Sequence, residues 1–109
     1  MSDVVFVDDS NFEREVTNSD VPVLVDFGAT WCAPCKRQLP LLEKYAADYL
    51  SKVKVCKIDI DDAPMITAKF GIRSVPTMML FHVGVQVGSK VGLTSLAEIS
   101  NFVIGKVGA

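Results

Sequence analysis

The chain has 109 residues, half of them hydrophobic, which is enough for one small domain with a packed core and excludes a disordered chain. Eleven basic and thirteen acidic residues give a net charge of −2, without the basic patch that nucleic-acid binding requires. No apolar run reaches the ~18 residues of a membrane helix and the first residues lack a basic signal region, so we expect one cytoplasmic domain spanning residues 1–109.

The predicted elements of the first half alternate between strand and helix. Residues 4–7 form a strand, and a short helix then begins at a capping box in which Ser10 and Glu13 satisfy the first backbone donors. Residues 23–27 form an almost continuous apolar strand, of the kind that is covered on both faces. A long helix begins near Cys32. Its predicted inward face consists of Cys35, Leu39, Leu42, Ala46 and Tyr49.

The predicted elements of the second half include a hairpin. They are a strand at residues 53–60, a short helix at 62–71, hairpin strands at 78–81 and 86–91, and a closing helix that begins at residue 95. Val83 and Gly84 form the hairpin turn, and Ser95 and Glu98 form a second capping box. The buried residues of the closing helix are predicted to be Leu96, Ile99, Phe102 and Val103. The alternating order predicts an α/β fold with one central sheet flanked by helices.

Three cysteines are the candidates for chemistry. Cys32 and Cys35 form a C-x-x-C pair at a strand-to-helix junction, where unpaired backbone donors and the helix dipole stabilise a thiolate. We therefore expect Cys32 to be the exposed nucleophile, with a lowered pKa, and Cys35 to be the shielded resolving thiol one helical turn on. Cys56, in the third strand, is interpreted as a small buried hydrophobic residue on the opposite face from Lys57, the alternative being a regulatory thiol.

A metal site is a second interpretation of the same cysteines. Together with His82, the only histidine, they would supply a Cys₃His set. Structural zinc sites usually use two closely spaced pairs, and the sequence offers only one. We therefore expect no metal, and we expect His82 to be an exposed hairpin residue.

Four stretches of the chain together resemble the thioredoxin family. Residues 31–36, Trp-Cys-Ala-Pro-Cys-Lys, follow a Val-Asp-Phe strand and are similar to the family's active site. Residues 57–61, 70–77 and 90–92 are similar to its other signature stretches, in the same order. The resemblance covers essentially the whole chain. It implies the thioredoxin fold, a central mixed sheet of about five strands flanked by four helices.

The resemblance also implies roles for single residues. Pro76 corresponds to the family's cis-proline, and Val75 before it would pair through its backbone with an extended target. Asp26, which from the pattern alone is either a solvated strand end or a buried carboxylate, corresponds to the family's buried general base. Lys57 corresponds to the lysine beside that base, or is only a snorkelling strand residue. The implied target-docking surface consists of Trp31, Pro34, Val75, Pro76, Val91 and Gly92.

The function implied by the resemblance is a protein-disulfide reductase that donates electrons to target proteins and maintains redox homeostasis. The Cys32 thiolate attacks the target, a mixed disulfide forms, and Cys35 releases the product while Asp26 takes up its proton. The chain is expected to be a monomer without a bound cofactor, recycled by NADPH through a flavoprotein thioredoxin reductase. The alternatives are a specialised oxidase or isomerase of the same fold and a non-catalytic binding partner.

The chain departs from the family pattern at three positions near the active site. Gly28 stands where the family usually carries Trp, while Ala33 and Ser74 stand where it usually carries Gly. We expect the missing ring at Gly28 to loosen local packing and widen the range of targets, and the methyl group of Ala33 to shift the redox potential.

Overall fold

The order of strands and helices agrees with the order predicted from the sequence. The computed structural model describes residues 3–108. Its elements are β1 (Val5–Val7), a π-helix (Glu13–Thr17), β2 (Val23–Gly28), α1 (Ala33–Asp48), β3 (Lys54–Asp59), α2 (Pro64–Lys69), β4 (Thr77–His82), β5 (Val85–Val91) and α3 (Leu96–Val107). The predicted domain and the predicted lack of a signal also involve Met1, Ser2 and Ala109, which lie outside the described residues.

The strands of residues 3–108 form one mixed sheet in the order β1-β3-β2-β4-β5. β3 is parallel to both β1 and β2, whereas β4 is antiparallel to β2 and β5 is antiparallel to β4. The central strand, β2, is buried along its whole length, as its continuous apolar sequence predicts. The predicted five-stranded mixed sheet with four flanking helices is therefore confirmed. No helix within the described range combines the length and the apolar character needed to cross a membrane.

The core is divided between the two faces of the sheet. The cluster under α1 and α3 includes Leu24, Leu42, Val55, Leu80, Ile99 and Val103. The cluster under the π-helix and α2 includes Val16, Val25, Phe27, Cys56, Ile58 and Phe81. Because alternate residues of a strand point to opposite faces, Asp26 and Lys57 share the α1 face with Leu24 and Val55. The strand periodicity thus places both charged residues beneath the helix that begins at the C-x-x-C pair.

The hairpin forms at the predicted turn. Val83 and Gly84 link β4 to β5, and both have positive φ, 53° and 75°. Two positive φ angles give a turn whose twist matches that of the flanking strands. The hairpin carries Val91 to a position opposite Thr77, at the start of β4.

The first predicted capping box is wrong, and the second is confirmed. The π-helix begins later than predicted, with Phe12 as its N-cap residue and no side-chain cap, while Ser10 donates its backbone N–H and its hydroxyl to the Asp8 carboxylate. A serine caps a helix by accepting a backbone N–H from the N-cap position, and Ser10 lies two residues before that position. At α3, Ser95 and Glu98 form both reciprocal capping hydrogen bonds.

The inward face of α1 differs from the predicted apolar row. Leu39 and Tyr49 are only partly buried, while Gln38 and Tyr45 are fully buried. The Gln38 amide donates to the Thr94 carbonyl at 2.9 Å and accepts from the Thr94 N–H at 2.8 Å. This pair of hydrogen bonds satisfies the polar groups on both sides, which is what permits a glutamine in the core.

Candidate active site

The C-x-x-C pair forms a disulfide at the amino terminus of α1. Cys32 and Cys35 are bonded to each other, with Cα atoms 5.3 Å apart. Cys32 is the N-cap residue, and its Sγ accepts the backbone N–H of Cys35 at 3.3 Å. Pro34 lies in the first turn, where no intrahelical donor is needed. The Cys32 sulfur therefore occupies the position in which a helix terminus stabilises negative charge.

The predicted exposure of Cys32 is wrong. Only 6% of Cys32 and 2% of Cys35 are accessible, so both sulfurs lie largely under cover. Cys32 packs with Ala29 and with the partly buried Ile60 and Val75. The Val75 carbonyl oxygen lies 3.7 Å from Cys32 Sγ. The loop before β4 covers Cys32, which local helix geometry alone does not reveal.

The predicted cis-proline is present beside this disulfide. The Val75–Pro76 peptide bond is cis, and Pro76 is buried. The Pro76 carbonyl accepts the N–H of Gly92 at 2.8 Å, while the Thr77 hydroxyl donates to the Ser74 carbonyl at 2.7 Å. The first of these bonds joins the loop before β4 to the segment after β5 and brings Gly92 to Pro76, whereas the second lies within the loop before β4.

Two apolar side chains of the expected docking surface are largely exposed. Trp31 is 68% exposed and Val91 is 67% exposed, while Pro34 is half-buried. The Trp31 indole N–H donates to Asp61 at 3.1 Å, which holds the ring at the surface. A shallow cavity of about 260 Å³ lies between Trp31 and Val75. Its walls also include Ile60, Ile72, Arg73 and Ser74, which lie in the family-like stretches but were not assigned to the docking surface from the sequence.

Asp26 is buried, not solvated. It is wholly inaccessible and lies directly opposite Lys57 in the β2–β3 register. Lys57 Nζ lies 3.1 Å from one carboxylate oxygen, and the other oxygen, Oδ1, has no hydrogen-bond partner within residues 3–108. Burial raises the pKa of the Asp26 carboxyl, and the Lys57 ammonium offsets only part of this effect. A carboxylate whose pKa is raised by burial accepts a proton more readily than a solvated one does.

Gly28 opens space above the same pair of strands. It follows Asp26 by two residues and shares its face of the sheet, next to Cys35 and Lys57. A cavity of about 520 Å³ begins beside Cys35 and Lys57 and extends toward Phe6, Leu39 and Asp59. The space beside Gly28 is thus taken up by the Lys57 ammonium and Cys35, and the cavity opens beyond these two residues.

Cys56 and His82 lie apart from the disulfide. Cys56 is fully buried in the core cluster on the opposite face of the sheet from Lys57, which confirms the predicted placement. Burial raises the pKa of its thiol to about 12. His82 is exposed at the end of β4, as predicted. Within residues 3–108, no three His, Cys, Asp or Glu side chains are grouped so that they could hold a metal ion.

Selective alkylation tests the different environments of the cysteines. In the reduced protein near neutral pH, we expect iodoacetamide to modify Cys32 first, because the helix terminus favours its thiolate. Cys56 should react only after denaturation, because its thiol is buried and stays protonated. Peptide mapping by mass spectrometry measures the order. Earlier modification of Cys35 would reverse the assigned roles, and rapid native labelling of Cys56 would contradict its burial.

Comparisons with known proteins point to one family. The family model described as Thioredoxin matches residues 3–105 of the chain. The chain is 42% identical over 103 residues to a thioredoxin of Haemophilus influenzae, covering 94% of this chain and 96% of that protein. It is 55% identical over 87 residues to a thioredoxin of Rickettsia bellii, and the match covers 80% of this chain and 83% of that protein. A thioredoxin of Pseudomonas aeruginosa is 44% identical to the chain over 99 residues, and the match covers 91% of this chain and 92% of that protein.

Proposed function

Because the chain belongs to the thioredoxin family and is a dithiol–disulfide oxidoreductase, we propose that it reduces protein disulfides with Cys32 as nucleophile and Cys35 as resolving thiol. The observation that carries the proposal is the position of the disulfide. Cys32 is the N-cap residue of α1, where the helix terminus stabilises negative charge, whereas Cys35 lies inside the first turn of the helix. This asymmetry supports different roles for the two sulfurs.

The first step is attack on the target. The Cys32 thiolate forms a bond to one sulfur of the target disulfide, and the other target sulfur leaves as a thiolate that takes a proton from solvent. The helix terminus and the Cys35 N–H stabilise the Cys32 thiolate before the attack. The product of this step is a mixed disulfide between Cys32 and the target.

The second step is release of the target. Cys35 loses its proton to Asp26 and attacks the Cys32 sulfur, which breaks the mixed disulfide and restores the Cys32–Cys35 bond. The second target sulfur leaves as a thiolate that takes a proton from solvent, and Asp26 later returns its proton to solvent. Two electrons have then passed from the dithiol of this chain to the target. The burial of Asp26, which raises its pKa, and the adjacent charge of Lys57 support this catalytic assignment.

The docking surface is proposed to hold an extended segment of the target. Val75 and Pro76 border the covered disulfide, with Gly92 bonded to the same loop. Trp31 and Val91 add exposed apolar area, and Pro34 lies in the first turn of α1 between the cysteines. An extended target would pair with the Val75 backbone in the manner of an added strand.

We also propose where the chain acts and which protein returns its disulfide to the dithiol form. The chain acts as a single cytoplasmic thioredoxin domain and as a monomer, without a bound metal or cofactor. A flavoprotein thioredoxin reductase returns the disulfide to the dithiol with electrons from NADPH. The family membership and the small net charge of −2 support a carrier that serves several protein partners.

Reduction of insulin tests the proposal in two separate assays. With dithiothreitol as the electron source, the chain should accelerate insulin reduction, because exchange at Cys32 needs no other protein. With NADPH and a bacterial thioredoxin reductase, NADPH consumption should depend on the chain. Activity with dithiothreitol but none with NADPH and the reductase would contradict only the proposal that a thioredoxin reductase recycles the chain. Failure in both assays would contradict the reductase function.

The double variant Cys32→Ser, Cys35→Ser is the control for both assays, and it should have no activity because it lacks both redox-active sulfurs. Retention of biological function by this variant in cells would favour a non-catalytic binding partner. Efficient rearrangement of scrambled disulfides by the wild-type chain, combined with poor insulin reduction, would favour an isomerase.

A further inference from the structure

We propose that the cavity of about 520 Å³ beside Cys35 is a binding site for a small aromatic amine. The ring of such a molecule would lie against Phe6 and Leu39, and its ammonium group would face Asp59 and Asp62. The residues that line this cavity include none of the expected target-docking residues. One consequence, an effect on target release, rests on the proposed function, whereas binding itself can be measured without turnover.

The cavity lies between α1 and one edge of the sheet. Phe6 of β1 is directly opposite Lys57 of β3, so both side chains point to the face of the sheet that α1 covers. β1 is an outer strand of only three residues, and Phe6 is 65% exposed. Leu39, one helical turn after Cys35, lines the cavity from α1 and is only partly buried. Strand and helix thus face each other here without filling the space between them.

The size and the apolar walls of the cavity suit a small aromatic molecule. Its volume falls within the range of about 300–1,000 Å³ that is usual for small-molecule sites. Phe6, Leu39 and Ala29 supply apolar surface. Two aromatic rings in offset or edge-to-face contact gain more than their buried area alone provides. The exposed ring of Phe6 therefore favours an aromatic occupant over an aliphatic one.

The charges around the cavity favour a cation. Lys57 is already paired with Asp26, 3.1 Å away. The other charged residues on the walls are Lys36, Asp59 and Asp62, and none of these three forms an ion pair in the part of the chain that the structure describes. Two carboxylates without a counter-charge thus stand against one such ammonium. An ammonium group on the occupant would balance the excess negative charge.

A titration with two matched probes tests the site. Tryptamine and indole-3-propionate share the same ring and a two-carbon chain, and they differ in the charge at its end. Proton–nitrogen correlation NMR of the oxidised protein follows each titration. We expect tryptamine to bind with a Kd on the order of 0.1–1 mM. Indole-3-propionate should bind about threefold more weakly or worse, because its carboxylate meets the two aspartates.

The position of the shifted signals tests where the probe binds. Saturable shifts should centre on Phe6, Leu39 and Asp59, which lie on three sides of the cavity. Shifts that centre instead on Trp31 and Val75, in the shallow cavity of the docking surface, would overturn the proposed location. Equal or tighter binding of indole-3-propionate would overturn the proposed charge preference. The absence of any saturable shift with tryptamine would overturn the site.

The variants Phe6→Ala and Asp62→Asn separate the contributions of the ring and of the charge. Phe6→Ala should weaken the binding of both probes about three- to tenfold, because both lose the ring contact. Asp62→Asn should weaken only tryptamine, about two- to fivefold. Unchanged tryptamine affinity in both variants would overturn the site. Because Asp62 is exposed, Asp62→Asn keeps the test decisive even if Phe6→Ala does not fold.

Two substitutions outside the cavity are the matched controls. Val85→Ala removes an exposed apolar side chain from β5, the other outer strand of the described sheet, and Asp20→Asn removes an exposed charge. Neither should change the affinity for tryptamine. A loss of affinity in Val85→Ala or Asp20→Asn as large as in the cavity variants would show that the probe binds unspecifically and would overturn the site.

Occupancy of the cavity is expected to slow target release, because the bound ring would lie against Cys35, whose sulfur must reach the mixed disulfide. Saturating tryptamine should slow release about two- to fivefold in the wild-type chain, and less in Phe6→Ala at the same concentration. Saturable binding with an unchanged release rate would leave the site in place and overturn its effect on release. Saturable binding together with failure of both insulin assays would contradict the proposed function and support the site.

Discussion

Replacing Cys35 with serine is expected to stop the reaction after its first step and to trap target proteins on Cys32. The substitution leaves the amino terminus of α1 and the Cys32 thiolate in place, so attack on the target continues. A serine hydroxyl cannot form the internal disulfide that breaks the mixed one. Multiple turnover should fall by at least ~10³-fold, as is usual when a reacting nucleophile is removed.

Mass spectrometry of the trapped complex measures this result. The target should be attached to Cys32 with a stoichiometry of one, and added dithiothreitol should release it. Cys32→Ser should trap little, because the remaining Cys35 lies inside α1 and not at the N-cap position that stabilises a thiolate. Cys56→Ser is the control, since Cys56 packs on the opposite face of the sheet and should not affect turnover. A stable complex on Cys35 of the Cys32→Ser variant would reverse the assignment of the two sulfurs.

The fold could be predicted because its signals are local and repeated. The apolar run of β2, the second capping box and the two-residue turn each depend on residues that are neighbours in sequence. The first capping box had the same kind of signal but failed, because the helix begins two residues later, with Phe12 as its N-cap residue in place of Ser10. Gln38 was missed because its partner, Thr94, lies 56 residues away and gives no periodic pattern.

The candidate site was predicted as a set of residues but not as an arrangement. The sequence and the resemblance together indicate Cys32, Cys35, Asp26 and Pro76. The resemblance implies that Pro76 packs opposite the disulfide, but neither it nor the helix pattern reveals that Cys32 is almost wholly covered, with the Val75 carbonyl beside its sulfur. The sequence and the resemblance also indicate that the aromatic ring usual at position 28 is missing, but they do not indicate that the Lys57 ammonium lies beside Gly28. Such relations depend on tertiary packing, which neither strand periodicity nor a family motif specifies.

Replacing Asp26 with asparagine is expected to stabilise the oxidised protein and to slow its catalytic cycle. Burying a charged carboxylate is costly, and Asp26 is wholly inaccessible with only one counter-charge. Asparagine has nearly the same shape and no charge. We expect the free energy of unfolding to rise by about 1–3 kcal/mol at pH 7. Loss of the proton acceptor should slow mixed-disulfide release by about 10²-fold or more.

The gain in stability should depend on pH in a defined direction. Because burial raises the pKa of Asp26, the folded state binds the proton more tightly than the unfolded state, whose ordinary pKa is 3.8. Wild-type stability therefore increases, through this group, as pH falls through the folded pKa toward 3.8. Above the folded pKa the full cost of the charge remains. The advantage of the asparagine variant should thus be largest near neutral pH and diminish in acid.

Lys57 limits the size of this gain. Removing one member of a buried ion pair is usually destabilising, because the remaining charge loses its partner. The Lys57 side chain is 12% exposed and borders the open cavity, so water can hydrate the ammonium after the substitution. The combined variant Asp26→Asn, Lys57→Ala measures this remaining cost. It should be at least as stable as Asp26→Asn near neutral pH if the unpaired ammonium is the limiting factor.

Denaturant titrations at several pH values, together with measured release of a mixed disulfide, test both effects of the Asp26 substitution. Asp20→Asn is the matched control, since Asp20 is exposed and its charge is already hydrated. It should change neither stability nor release. Higher stability of Asp26→Asn with a normal release rate would show that the charge is costly but that another group takes the Cys35 proton. Unchanged stability together with unchanged release would remove Asp26 from the catalytic residues, because a wholly buried carboxylate that accepts this proton must affect both.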